Sequence, residues 1–238
     1  MTNNLNRRPR YFDAKIVDQI SLGDVPTILA GRHPHLASIQ HQERLSIAAH
    51  EASHFLVALL SRTTNFGAYA YVRVPGKTSK HGGKRGVNGS VPIGNLNTHK
   101  ADMMVSVAGS IFSGIVEPNN KIAINSDQKD YYKRLSEYAK QKDISFEMAA
   151  DDFGQMVIDE TAATLVKYWT TIDWLATALL LNCSANGDVK LWPIIEYFYS
   201  DPKRLMVPPR PTYFSLSQKH ADYVATRGLT ASVPSVIQ

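Results

Sequence analysis

Residues 50–54 read His-Glu-Ala-Ser-His, the pattern H-E-x-x-H. On a helix that advances about 100° per residue, His50 and His54 stand on one face a turn apart, so both imidazoles can reach one Zn²⁺ ion. Glu51 lies beside them as a general base for a water activated by that ion. Chance is a poor explanation. With 8 His in 238 residues and the Glu content of this chain, about 0.008 occurrences are expected at random.

Two histidines do not complete a hydrolytic zinc site, which normally has three protein ligands. The chain has a single cysteine, Cys183, which excludes a disulfide or a multi-cysteine cluster and leaves the third position to a carboxylate. There is no third histidine at short downstream spacing. Glu117, Asp127, Asp130 and Asp102 are the candidates, and spacing does not rank them.

The motif needs a helix, and its surroundings supply one. Residues 42–61 lack Pro and Gly, and Leu45, Ala48, Ala49, Ala52, Phe55, Leu56, Leu59 and Leu60 form a wide apolar stripe. A helix of that kind is expected to be enclosed by protein. Residues 67–75 and 87–92 read as two strands joined by a glycine-rich basic loop, an expected hairpin whose edge, 87–93, can accept an extended peptide as an added strand. Helical character returns at 98–116 with Thr98 as N-cap, then at 127–142 with Ser126 as N-cap, then through 145–181 with a break near 170–171. Residues 182–188 hold turn formers, and 191–199 are apolar. The expected fold is mainly α with a small β-hairpin or sheet: an arm of little periodicity at 1–40, a core domain at 41–200, and a proline-containing extension at 201–238.

His-Glu-Ala-Ser-His followed by Phe-Leu-Val-Ala resembles the H-E-A-G-H-A-x-V-A signature of the M41 peptidases, the proteolytic domain of FtsH-type ATP-dependent zinc proteases. The strand–loop–strand after the motif, Val107-Ala108-Gly109-Ser110, Asn125-Ser126-Asp127 ahead of a helix, and the leucine-rich 167–181 with Gly187 follow in the family's order, across roughly 42–198. The resemblance implies a zincin-like fold, a polypeptide substrate, His50 and His54 as zinc ligands, Glu51 as general base and Asp127 as third ligand, with Asp130 competing or supporting a histidine. Such enzymes form rings through contacts that come partly from an ATPase, which leaves a homo-oligomer open for this chain.

Departures are visible. Ser53 replaces the signature glycine, Ala108 the first glycine of a pair, and Ser113 an expected Glu. No G-x-x-x-x-G-K-[ST] phosphate loop is present, so the expected activity is an ATP-independent zinc endopeptidase. The other function class is a catalytically inactive fold of this type acting as a protein-interaction module. Positive charge exceeds negative by 5 and gathers at Arg7–Arg10, Lys77–Arg85 and Lys203-Arg204. Without a nucleic-acid-binding motif these runs are expected to be solvated arms and loops, not a nucleic-acid surface. The apolar runs 103–116 and 174–187 are too short to span a bilayer and no secretory leader is visible, so a soluble, cytoplasmic protein is expected. His33 and His35 flank Pro34 and are expected in a turn; His81 and His99 have no partner pattern.

Overall fold

A computed structural model of the chain describes residues 12–63, 65–72, 89–94, 96, 98–116, 124–216 and 222. It is mainly helical with a small antiparallel sheet. Two compact units emerge, one of Met1–Ala52, Phe66–Ile93 and Thr170–Phe214, the other of Ser53–Asn65, Gly94–Trp169 and Ser215–Gln238. The basic runs at 7–10 and 77–85, His81 and Glu117 lie outside the described residues. Among the described residues no helix is long and apolar enough to cross a membrane.

The motif-bearing helix, α3 (Ser38–Leu60), is continuous and contributes to both units. Its apolar stripe is buried, as its composition requires. It ends in a Schellman turn: Thr63 N–H donates to the Ala58 carbonyl and Arg62 N–H to that of Leu59, with Arg62 in the left-handed region at φ 51°.

In the first unit, helices α1 (Ala14–Asp18) and α2 (Val25–Arg32) lie within the stretch read as an arm of little periodicity. Asp13 caps α1, the Ser21–Asp24 box and Pro26 start α2, and Val17, Ile20, Leu22, Val25 and Leu29 are buried. Both helices are too short to show a period, which is why they escaped pattern reading. The sheet has the order β2-β1-β3, with β1 at Tyr69–Val72, β2 at Gly89–Ser90 and β3 at Asp188–Lys190. The hairpin thus gains a third strand, which starts at the last residue of the expected turn and runs through two residues that sequence pattern left unassigned. A tight turn delivers it: Gly187 at φ 85° returns its N–H to the Ser184 carbonyl. The hairpin arms close so tightly at Gly67 that a Cβ there would lie 2.8 Å from Pro92 Cβ.

Trp174 of α8 (Trp169–Leu181) centres this unit's core, edge-on to Phe12 and Phe198 and stacked on Tyr197 of α9 (Trp192–Ser200). Its indole N–H donates to Asp18 at 2.8 Å. The chain after α9 is part of the unit. Arg210 donates to the Val17 and Ile20 carbonyls and, at 2.9 Å, to buried Asp173, whose other oxygen accepts from Tyr213 N–H. Burial pushes the Asp173 carboxyl above its usual range, and the Tyr213 N–H and the Arg210 cation pull it partway back.

Two polar residues of α3 are fully buried here. Arg44 donates to the Ala185 carbonyl at 2.8 Å, and the His41 ring one turn earlier is enclosed. Burial, then the Arg44 cation, lower the His41 pKa from 6.5; charge on His33 and His35 acts the same way, while the His33 backbone opposes it.

The second unit packs α4 (His99–Val116) against α5 (Ile124–Lys142) and α7 (Gln155–Lys167). Thr98 caps α4 as expected. Lys100 pairs with Glu160 at 2.6 Å and Arg134 with Asp102 at 3.0 Å. A short helix α6 (Phe146–Met148), capped by Ser145, runs into a π-turn at Ala149–Gly154, and the helical run breaks at Tyr168 instead of 170–171. Helix α5 begins at Ile124, so Ser126, the expected cap, already lies within it.

Two consequences can be measured. Arg210→Ala leaves Asp173 buried without its cation and should lower unfolding stability by about 3 kcal/mol, read as a denaturant midpoint; a loss under about 1 kcal/mol would mean the strap is dispensable. Below about pH 6.5 the unfolded chain takes up a proton at residue 41 that the folded chain resists, so stability present above that pH is lost as pH falls. Midpoints between pH 7 and 5.5 should therefore fall less for His41→Phe than for the parent, and equal slopes would refute it.

Candidate metal centre

Helix α3 places His50, Glu51 and His54 in the interior, at 7 %, 6 % and 8 % exposure. An imidazole or carboxylate in such surroundings must be held by partners. His54 Nδ1 lies 2.5 Å from the Val105 carbonyl oxygen on α4. A carbonyl only accepts, so Nδ1 carries the proton and the lone pair of the neutral ring sits on Nε2.

Access to that carbonyl has a sequence cause. Hydroxyls at Ser106, Thr161, Thr164 and Thr177 each lie on the carbonyl four residues earlier, which shows where a helical side chain falls. The corresponding position for Val105 is Gly109, which has no side chain to cover it.

His54 Nε2 faces Asp127 Oδ2 at 3.3 Å. Asp127 stands in the first turn of α5, where an acid also suits the helix dipole, and its Oδ2 accepts from Ser110 Oγ at 2.8 Å. One ligand atom from each of His50, His54 and Asp127 lies within 4.8 Å of the others. Among the described residues it is the group of His, Cys, Asp and Glu so placed. Glu51 accepts from Val91 N–H at Oε2, 2.8 Å, immediately after β2.

The donor chemistry fits a zinc ion. A lone pair on Nε2 and a carboxylate oxygen repel unless a proton or a metal cation shares their space. Tetrahedral zinc with bonds of about 2.0–2.1 Å separates its ligand atoms by about 3.3–3.4 Å, the distance between Nε2 and Oδ2. Two nitrogens and one oxygen also match the three-ligand donor set of hydrolytic zinc.

The other carboxylates fall elsewhere. Asp102 is buried but engaged by Leu96 N–H and Arg134. Asp130 is exposed and outside the group. His33 and His35 lie with rings 6.1 Å apart after α2, and His99 sits against Tyr138, none of them in the group. Sequence pattern missed Val105, whose contribution is a backbone carbonyl, and the role of Ser110, which no spacing rule connects to Asp127.

Asp127→Ala should weaken zinc binding at least 100-fold in a chelator competition, while Asp130→Ala should bind as the parent does. The reverse order would move the third ligand to Asp130.

No protein-family model, curated protein or solved structure matches the chain.

Proposed function

We propose that this chain is a zinc-dependent, ATP-independent endopeptidase with an M41-like, zincin-type arrangement. The observation that carries the proposal is the convergence of His50, His54 and Asp127 beside the buried Glu51, on the helix that bears the H-E-x-x-H pattern. Zinc held by these three residues would polarise a peptide carbonyl and lower the pKa of a water.

Glu51 takes the proton of the attacking water and delivers it to the leaving nitrogen. Val91 N–H, bonded to Oε2, orients its carboxylate. The Val105 carbonyl fixes the His54 tautomer, so that Nε2 is the ligating atom. Strand β2, at the end of the order β2-β1-β3 among the described residues, supports a polypeptide substrate that pairs as an added strand. Unfolded segments and loops are the substrates that this reading assigns. Cytoplasmic residence and self-association belong to the same proposal.

The decisive experiment compares the parent with Glu51→Gln on an unfolded casein-type substrate. Cleavage should fall by about 100-fold or more, with zinc kept at one equivalent per chain. Equal rates would end the mechanism. A folded parent that neither retains zinc nor cleaves would instead be an interaction module.

A further inference from the structure

We infer that Ser110 is a positioning residue for the metal ligand Asp127, an inference that rests on the zinc reading of the site. Ser110 sits near the C-terminal end of α4, and its hydroxyl is half-buried at the contact with the first turn of α5. A serine in a helix has a partner at hand, the carbonyl four residues back. Ser61, Ser106, Thr161, Thr164 and Thr177 all use it. Ser110 instead donates across to Asp127 Oδ2 at 2.8 Å.

That oxygen is also the one 3.3 Å from His54 Nε2. The hydroxyl therefore restrains rotation of the carboxylate at the atom nearest the other ligand. It does so without bringing a charge. A lysine or arginine in its place would oppose a divalent cation, whereas a neutral O–H stabilises the ionised carboxylate and leaves its charge for the metal. Lys100 of α4 pairs with Glu160 and Arg134 of α5 with Asp102, so neither cation is spent on Asp127. Helix α4 thus holds two ligands from behind, His54 through the Val105 carbonyl and Asp127 through Ser110. Partners of this kind govern metal affinity by about 10–100-fold.

The test measures zinc dissociation constants by competition with a chromophoric chelator for the parent, Ser110→Ala, Ser110→Thr, Ser106→Ala and His54→Ala, together with the unfolding midpoint of each metal-free protein. Ser110→Ala should bind zinc about 10–100-fold more weakly with an unchanged metal-free midpoint. Ser110→Thr, which keeps the hydroxyl, should restore binding, and Ser106→Ala should bind like the parent. If Ser110→Ala binds as tightly as the parent while His54→Ala does not, the positioning role is overturned and the metal site stands. If the parent binds no better than His54→Ala, both fall. A metal-free midpoint that drops with Ser110→Ala, without rescue of affinity by Ser110→Thr, would make the serine merely structural and overturn the inference.

Discussion

The confrontation of His54 Nε2 with Asp127 Oδ2 at 3.3 Å constrains everything around it. With Nδ1 committed to the Val105 carbonyl, the two facing atoms are both acceptors in the neutral state of the ring. Such a contact in a nearly dry interior is unfavourable unless a positive charge joins it. A protonated ring meets that demand as an ion pair, and a divalent metal meets it more fully while drawing in His50 from the preceding turn. The fold keeps the pair together in either case, because one member is locked on a buried helix and the other on the first turn of a helix packed against α4.

Holding polar groups inside an apolar helix sets the form of the neighbours. In α4 Gly109 leaves the Val105 carbonyl uncovered and Ser110 reaches Asp127. The Val91 N–H, just after β2, bonds Glu51. These contacts use main-chain groups or a small hydroxyl, which adds direction without adding charge. Two other buried carboxylates meet cations: Asp173 meets Arg210, and Asp102 meets Arg134. Each of these carboxylates is thereby removed from competition for a cation.

What could be read from the chain follows from the range of the forces involved. The pattern at 50–54 and the apolar stripe around it are local and periodic, so α3 and the burial of its face were legible. So were the cap at Thr98 and the helix after it. The helices before residue 36 were not, since five and eight residues offer no period and their stability comes from burial of Leu22, Val25 and Leu29. Strand β3 is three residues long and exists because β1 offers it partners, a non-local cause. Asp127, Asp130, Asp102 and Glu117 looked alike for a related reason. A carboxylate's role depends on what faces it, and in three dimensions Arg134 engages Asp102 while Asp130 remains exposed.

Residue types at the site also separate its two layers. The inner residues, His50, Glu51, His54 and Asp127, are recognisable because few side chains can bind a metal or carry a proton. The outer ones are a valine, a glycine and a serine, and their types announce nothing. Val105 acts through its carbonyl, so many side chains would serve there, whereas Gly109 and Ser110 are constrained by what must be absent or present beside that carbonyl and Oδ2. An inner site can therefore be intact in sequence while its support is altered invisibly. In this chain His54 and Asp127 are bonded from one helix, through the Val105 carbonyl and the Ser110 hydroxyl, while Glu51 is bonded by the Val91 N–H, so the supporting contacts come from more than one element.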